Sequence, residues 1–193
     1  MFRINNLYVW IRDNFVWIVL AGLLGYVLLR LIFVYRKKNW LYYTFISGML
    51  VIYVAAMLYV TLGMRFTGTL HVCKPCPLGS YIEYAQTGDQ ENLIQNAANI
   101  MLFIPCGVFV KEFFRKRWHL WQCIVLAAFC SLILETIQII WKLGTFEVDD
   151  ILHNAFGAAV GFLIAGRILD MEGILRKKIK ESFLQKGKRK RES

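Results

Sequence analysis

The chain is 193 residues long, 58% hydrophobic and 15% aromatic, and its 23 Lys and Arg against 13 Asp and Glu give a formal charge of +10. An apolar share well above the roughly 45–50% of soluble domains excludes an ordinary water-soluble domain, and the length suits one integral-membrane domain. The positive excess is then what cytoplasmic loops of a membrane protein carry, so no nucleic-acid partner is expected.

Residues 1–13 form a short N-terminal segment with Arg3, Arg12 and Asp13. An apolar run over 15–34 follows, long enough to cross a hydrocarbon core of about 30 Å and too long, with no small-residue cleavage site, for a signal peptide. Arg30 stands near its end and is expected to snorkel toward Arg36, Lys37 and Lys38. A second span is predicted over 40–62, with Trp40, Tyr42 and Tyr43 at one interface. The loop over 63–92 holds the turn signals Pro75, Pro77, Gly79 and Gly88. The third span, 93–110, is more polar and is interrupted by Pro105, and a short basic loop follows over 111–117. A fourth span covers 118–141, with Gly144 as the expected helix stop. A fifth covers 150–169, with Asp149 as its N-cap.

The fold class is therefore all-α, a polytopic membrane helix bundle of about five spans filling residues 14–169. Basic residues at 36–38, 111–117 and 170–193 alternate with segments poor in Lys and Arg. By the positive-inside rule the N-terminus is outside and the C-terminus inside, which predicts a multi-pass protein. The basic tail over 170–193 either lies on the anionic inner leaflet as an interfacial helix or is a solvated tail that sets topology.

Three spans carry polar stripes. Asn92, Asn96, Asn99 and Phe103 share a face of the third; Ser131, Glu135 and Gln138 share a face of the fourth. Asp150, Asn154, Gly157 and Gly161 share one on the fifth, with Asp149 and His153 beside them. In the predicted topology all these polar groups lie in the outer half of the bilayer. Buried charge is expensive in lipid, so the stripes should face each other or a water-filled pocket. Gly157 and Gly161 are expected to let the fifth helix approach a neighbour closely.

The cluster Asn96, Asn99, Glu135, Gln138, Asp149, Asp150 and Asn154 has three readings. It fixes the bundle by hydrogen bonds across helices. It lines a pocket open to the outside for a polar or cationic group or a lipid headgroup. Or it uses Glu135, Asp149 or Asp150 as acid or base, without the nucleophile elbow, phosphate loop or HExxH pattern of familiar enzymes. No cofactor and no catalytic residue is assigned.

Of the five cysteines, Cys106, Cys123 and Cys130 lie in apolar spans and read as small hydrophobes. Cys73-Lys-Pro-Cys76 is a CxxC outside any βαβ context, which reads as a local disulfide or two free thiols. With His71 it offers three metal-ligand types and no clear fourth, so no metal site is assigned.

Three blocks resemble the VanZ-like family of bacterial membrane proteins. Asn96-Ala-Ala-Asn-Ile-Met-Leu-Phe-Ile-Pro-Cys-Gly107 is similar to its Asn…Leu-Phe-x-Pro-x-Gly block, and Glu135-Thr-Ile-Gln138 to its intramembrane Glu-x-x-Gln. Phe146-Glu-Val-Asp-Asp-Ile-Leu-His-Asn-Ala-Phe-Gly157 is similar to its aromatic–acid–x-Asp-Asp…Asn-x-x-Gly block. Order and spacing agree over about residues 40–168. Members often carry an Arg just before the acidic block, where this chain has Gly144-Thr145. The resemblance implies a protein of the bacterial plasma membrane, related to one linked to teicoplanin resistance. It implies action at the outer face in lipoglycopeptide resistance or cell-envelope maintenance. The partners implied are membrane lipid and a lipoglycopeptide or lipid-linked cell-wall precursor. The other classes are a membrane-embedded enzyme on lipid-linked envelope intermediates and a purely structural subunit.

Overall fold

The computed structural model describes residues 21–22, 24–30, 39–63, 73–88 and 90–192. Residues 21–22 and 24–30 are helical (α1). They are followed by α2 (Asn39–Leu58) with a π-helical turn (Tyr59–Gly63), β1 (Cys73–Lys74), α3 (Gly79–Thr87) and α4 (Glu91–Phe114) with a 3₁₀ turn (Arg115–Arg117). Then come α5 (Leu120–Ile140), β2 (Phe146–Glu147) and α6 (Val148–Glu192). The class is all-α as expected, apart from one short parallel pairing of β1 with β2, Cys73 against Phe146 and Lys74 against Glu147.

Among the described residues, three helices are long and apolar enough to cross a membrane: Trp40–Leu62, Glu91–Arg117 and Leu120–Ile140. The expected first span lies mostly outside the described residues. The expected fifth span is the first half of α6, which runs on through residues 170–192 without a break. The basic tail is thus a continuation of that helix.

Sequence explains most helix ends. Glu91 places a carboxylate in the first turn of α4, where the macrodipole favours it. The His119 backbone N–H donates to Gln122 Oε1 at 2.8 Å, half of a capping box opening α5. At the far end of α5 the Lys142 N–H donates to Ile139 O and the Leu143 N–H to Gln138 O, the bond pair of a Schellman motif. The left-handed residue of that motif is Lys142, with φ 56, two residues before the expected stop at Gly144, and the helix ends at Ile140. The expected interruption at Pro105 is also corrected, because α4 continues through it. Proline removes one N–H from the helical ladder, and the Tyr53 hydroxyl of α2 donates to the adjacent Leu102 carbonyl at 2.8 Å.

The bundle is built around α4 and α6. Ile100 faces Gly157 and Ile104 faces Gly161; the two numbers rise together, so the helices run parallel. A Cβ on Gly157 would lie 2.0 Å from Ile100 O, one on Gly161 1.9 Å from Ile104 O, and one on Gly107 1.8 Å from Ala158 O. These are backbone approaches that no side chain fits between. One apolar core, Phe103, Val110, Cys123, Ala127, Leu134, Ala158 and Phe162, joins α5 to this pair. A second, Tyr26, Tyr42, Ile46, Val108, Phe109 and Ala165, joins α1 and α2.

Arg30 does not snorkel. It is 4% exposed. Its Nε and Nη2 reach the two carboxylate oxygens of Glu112 at 2.7 and 3.0 Å, and its Nη1 reaches Glu172 at 2.9 Å. The Tyr26 hydroxyl also donates to Glu112, and the Arg30 guanidinium lies 4.9 Å from the centre of the Tyr42 ring. Glu112, expected in a basic loop, is fully buried on α4. A bidentate pair satisfies both partners where a lone buried charge could not persist.

Two outcomes follow from this packing. Gly161→Leu should abolish the folded bundle, read as loss of a cooperative unfolding transition in detergent, since the obstacle is backbone with nowhere to move. Arg30→Ala should destabilise by about 3–5 kcal/mol by leaving Glu112 buried and unpaired. The double variant Arg30→Ala/Glu112→Leu should recover much of that loss in the same unfolding measurement.

Candidate functional site

The polar stripes of α4, α5 and α6 meet at the α3 end of the bundle. Glu135, Gln138, Asp149, Asp150, Asn154 and Asn96 are all buried, as are Ser80, Ser131 and His153. Asn99 is half-buried.

Asp149 was expected to cap its own helix. It lies instead in the first turn of α6, and its carboxylate caps α3. Its Oδ1 accepts from the Leu78 N–H at 2.5 Å, and its Oδ2 from the Ser80 N–H at 2.9 Å and the Ser80 hydroxyl at 2.5 Å. Free N–H groups at a helix start make this an anion position. Asn96 Nδ2 donates to Ser80 Oγ at 2.9 Å, so Ser80 joins Asn96 of α4 to Asp149 of α6. Burial by itself would raise the Asp149 carboxyl; the Ser80 and Leu78 hydrogen bonds and nearby His153 outweigh it and hold the group below its ordinary value.

His153 sits one turn along. Its Nδ1 lies 2.6 Å from the Asp149 backbone carbonyl. A carbonyl only accepts, so Nδ1 carries the proton, and in the neutral ring Nε2 accepts from the Tyr81 hydroxyl at 2.8 Å. Beyond Asp149, Asp150 receives Gln95 Nε2 at 3.4 and 3.3 Å on its two oxygens.

The α5 wall is tied to the same end. Glu135 Oε2 accepts from the Glu147 N–H of β2 at 3.1 Å, and Gln138 Nε2 donates to Thr61 O at 3.3 Å. Asn154 Nδ2 donates to Ser131 Oγ at 2.8 Å. Helices α5 and α6 are joined by a short turn and run antiparallel, so one turn above this bond toward α3 is Glu135 on α5 and Asp150 on α6. The two acids therefore occupy one level. At the rim, Lys74 Nζ lies 2.9 Å from Glu83 and 3.8 Å from Glu147, and the Glu83 bond foremost raises the Lys74 ammonium above its ordinary value.

Two polar atoms of the cluster stand apart. Asn99 Nδ2 and Asn154 Oδ1 are buried without a hydrogen-bond partner among the described residues. One is a donor and the other an acceptor. Ile100 and Gly157 face each other across the seam, which puts Asn99 and Asn154 at nearly equal depth.

Sequence reasoning missed Ser80, Tyr81 and Gln95. The first two lie on a helix hidden inside a segment expected to be loop. Gln95 precedes the Asn96 stripe and was passed over as its neighbour. Cys76 is an exposed free thiol, and His71, considered with it as a ligand, lies outside the described residues. Among the described residues no group of three or more His, Cys, Asp or Glu is placed to hold a metal ion.

The VanZ/LLP1 family model matches residues 49–169, which include α4, α5, the acidic turn and the first half of α6. No curated protein and no solved structure matches the chain.

Because Asp149 has a depressed pKa, its contribution to holding α3 is present above the ordinary aspartate value of about 3.9 and is lost as the pH falls through the lower folded value. The stability difference between wild type and Asp149→Asn should be flat above about pH 5 and shrink in more acid solution. Thermal unfolding in detergent across that range is the measurement.

Proposed function

This membrane protein belongs to the VanZ/LLP1 family, and on that footing we propose that it acts at the outer face of the bacterial plasma membrane through the polar cluster at the α3 end. The role is protection of the envelope, either by lowering access or binding of lipoglycopeptides such as teicoplanin or by altering the state of envelope lipid. The basic 3₁₀ turn Arg115–Arg117 lies at the opposite end of α4 from Asn96 and Asn99. The positive-inside rule then turns the cluster outward, with five spans in all.

The carrying observation is the unmatched pair Asn99 Nδ2 and Asn154 Oδ1. Most other polar groups of the cluster have partners within the protein, and a purely structural network has reason to satisfy these two as well. A donor and an acceptor at one depth are complementary to a ligand hydroxyl or amide, groups that lipid headgroups and lipoglycopeptides both offer. Glu135 and Asp150, one turn nearer the surface, supply negative charge at the entrance, and Asn96, Gln138 and Asp149 fix the helices that bear the site.

The test compares teicoplanin and vancomycin susceptibility in cells carrying wild type, Glu135→Gln, Asp150→Asn, Asn154→Leu or an empty vector, with membrane insertion verified for each. Wild type should raise the teicoplanin inhibitory concentration several-fold over vector, with a smaller effect on vancomycin, and the three variants should lose most of the gain. Equal susceptibility of wild type and vector sinks the resistance reading. Full protection by all three variants assigns the cluster a structural role only.

A further inference from the structure

Helix α3 is amphipathic in an inverted sense. Tyr81, Ile82 and Ala85 recur at i, i+1 and i+4, so they share one face; they and Leu78, at the N-cap, are all exposed. Two polar residues reach the protein instead, Ser80 to Asp149 and Glu83 to Lys74, while Gln86 and Thr87 are exposed. A surface helix in water shows its charges outward and buries its apolar stripe. Here the protein buries Ser80 and binds Glu83 and leaves the apolar face open.

The position of α3 names the occupant. Residues 88–90 alone separate Thr87 from Glu91, and Glu91–Arg117 is a membrane-crossing helix. At 1.5 Å per residue its 27 residues exceed a hydrocarbon core of about 30 Å, so the Glu91 end stands at the membrane boundary and α3 stands with it. Ile94 in the first turn of α4 and Ile140 and Trp141 at the end of α5 are exposed as well. Tyr81 combines an exposed ring with a hydroxyl on His153, the split character that favours tyrosine at lipid interfaces.

The backbone is also committed to this face. Leu78 is left-handed, with φ 61, a conformation that a leucine adopts only when its surroundings impose it. In this conformation its N–H donates to the buried Asp149 carboxylate while its side chain is exposed.

We propose that α3 is an interfacial helix, with Leu78, Tyr81, Ile82 and Ala85 seated at the boundary between headgroups and acyl chains of the adjoining phospholipid leaflet. Its polar side roofs the cluster through Ser80–Asp149 and Tyr81–His153. The roof is then held by protein on one side and lipid on the other, and entry to the cluster lies within the headgroup layer. This rests on membrane insertion and not on any antibiotic phenotype, so it stands or falls separately from the resistance reading.

The test places a photoactivatable benzophenone amino acid at Ile82, or at Thr87 on the opposite face, in the full chain. Each form is reconstituted in phosphatidylcholine–phosphatidylglycerol vesicles, irradiated, and analysed by intact mass. The expected result is a phospholipid adduct at position 82 in several-fold excess over position 87. Equal lipid yields at the two positions overturn the proposal, as does an adduct at position 82 to a second copy of the chain, or no adduct there.

Discussion

The contact on which the rest of the structure depends is the parallel approach of α4 and α6, backbone to backbone, at Gly107, Gly157 and Gly161. In lipid there is no hydrophobic gain from pressing two apolar helices together, so close dispersion contact and polar bonds must supply the attraction. The seam supplies the first. It also sets the register that brings Gln95 of α4 to Asp150 of α6 and Asn99 near the depth of Asn154. Shift one helix by a single turn and both are lost.

On either side of the seam lies a polar layer. At the α3 end the layer is made of carboxylates, amides and hydroxyls drawn from α3, α4, α5 and α6. At the other end it is an ion cluster of Arg30, Glu112 and Glu172 with Tyr26, drawn from α1, α4 and α6. The two differ in chemistry, charge against charge in one and mainly amides, hydroxyls and carboxylates in the other. Arg30 meets both acids and Arg176 meets Glu172 as well, so two cations face two acids and the arrangement serves as a fastener. Among the described residues both layers leave buried atoms without a hydrogen-bond partner: Arg30 Nε and Glu172 Oε2, each within an ion pair, in the ion cluster, and Asn99 Nδ2 and Asn154 Oδ1 at the α3 end.

Much of this was legible in residue spacing. Period-3.6 stripes on three apolar segments could satisfy buried amides and acids only by converging, and the structure brings those stripes to one end. The small-residue pattern at Gly157 and Gly161 marked a face where backbone could come close. Arg30 was misread because an arginine near a helix end beside other basic residues satisfies the snorkelling pattern, while its partner Glu112 was hidden among Lys111, Arg115, Lys116 and Arg117. Ser80 and Tyr81 were not legible because a nine-residue helix between Pro77 and Gly88 looks like a turn-rich loop. The role of Asp149 was half visible: a capping residue by type, it caps a helix 69 positions away in sequence. Spacing along one chain cannot show that contact.

The length of α6 carries a mechanical consequence. Its 45 residues make a single rod of about 67 Å at 1.5 Å rise per residue. The rod is held along its first half by α4 at Gly157 and Gly161 and again at Glu172 by Arg30, and it runs on for about 30 Å past Glu172. A beam held at both places cannot tilt at one end without straining both. A pull on the helix beyond Glu172 therefore loads the Arg30–Glu172 ion pair. A change in how Asp149 and Asp150 are held at the other end is resisted by the glycine seam before it reaches that pair.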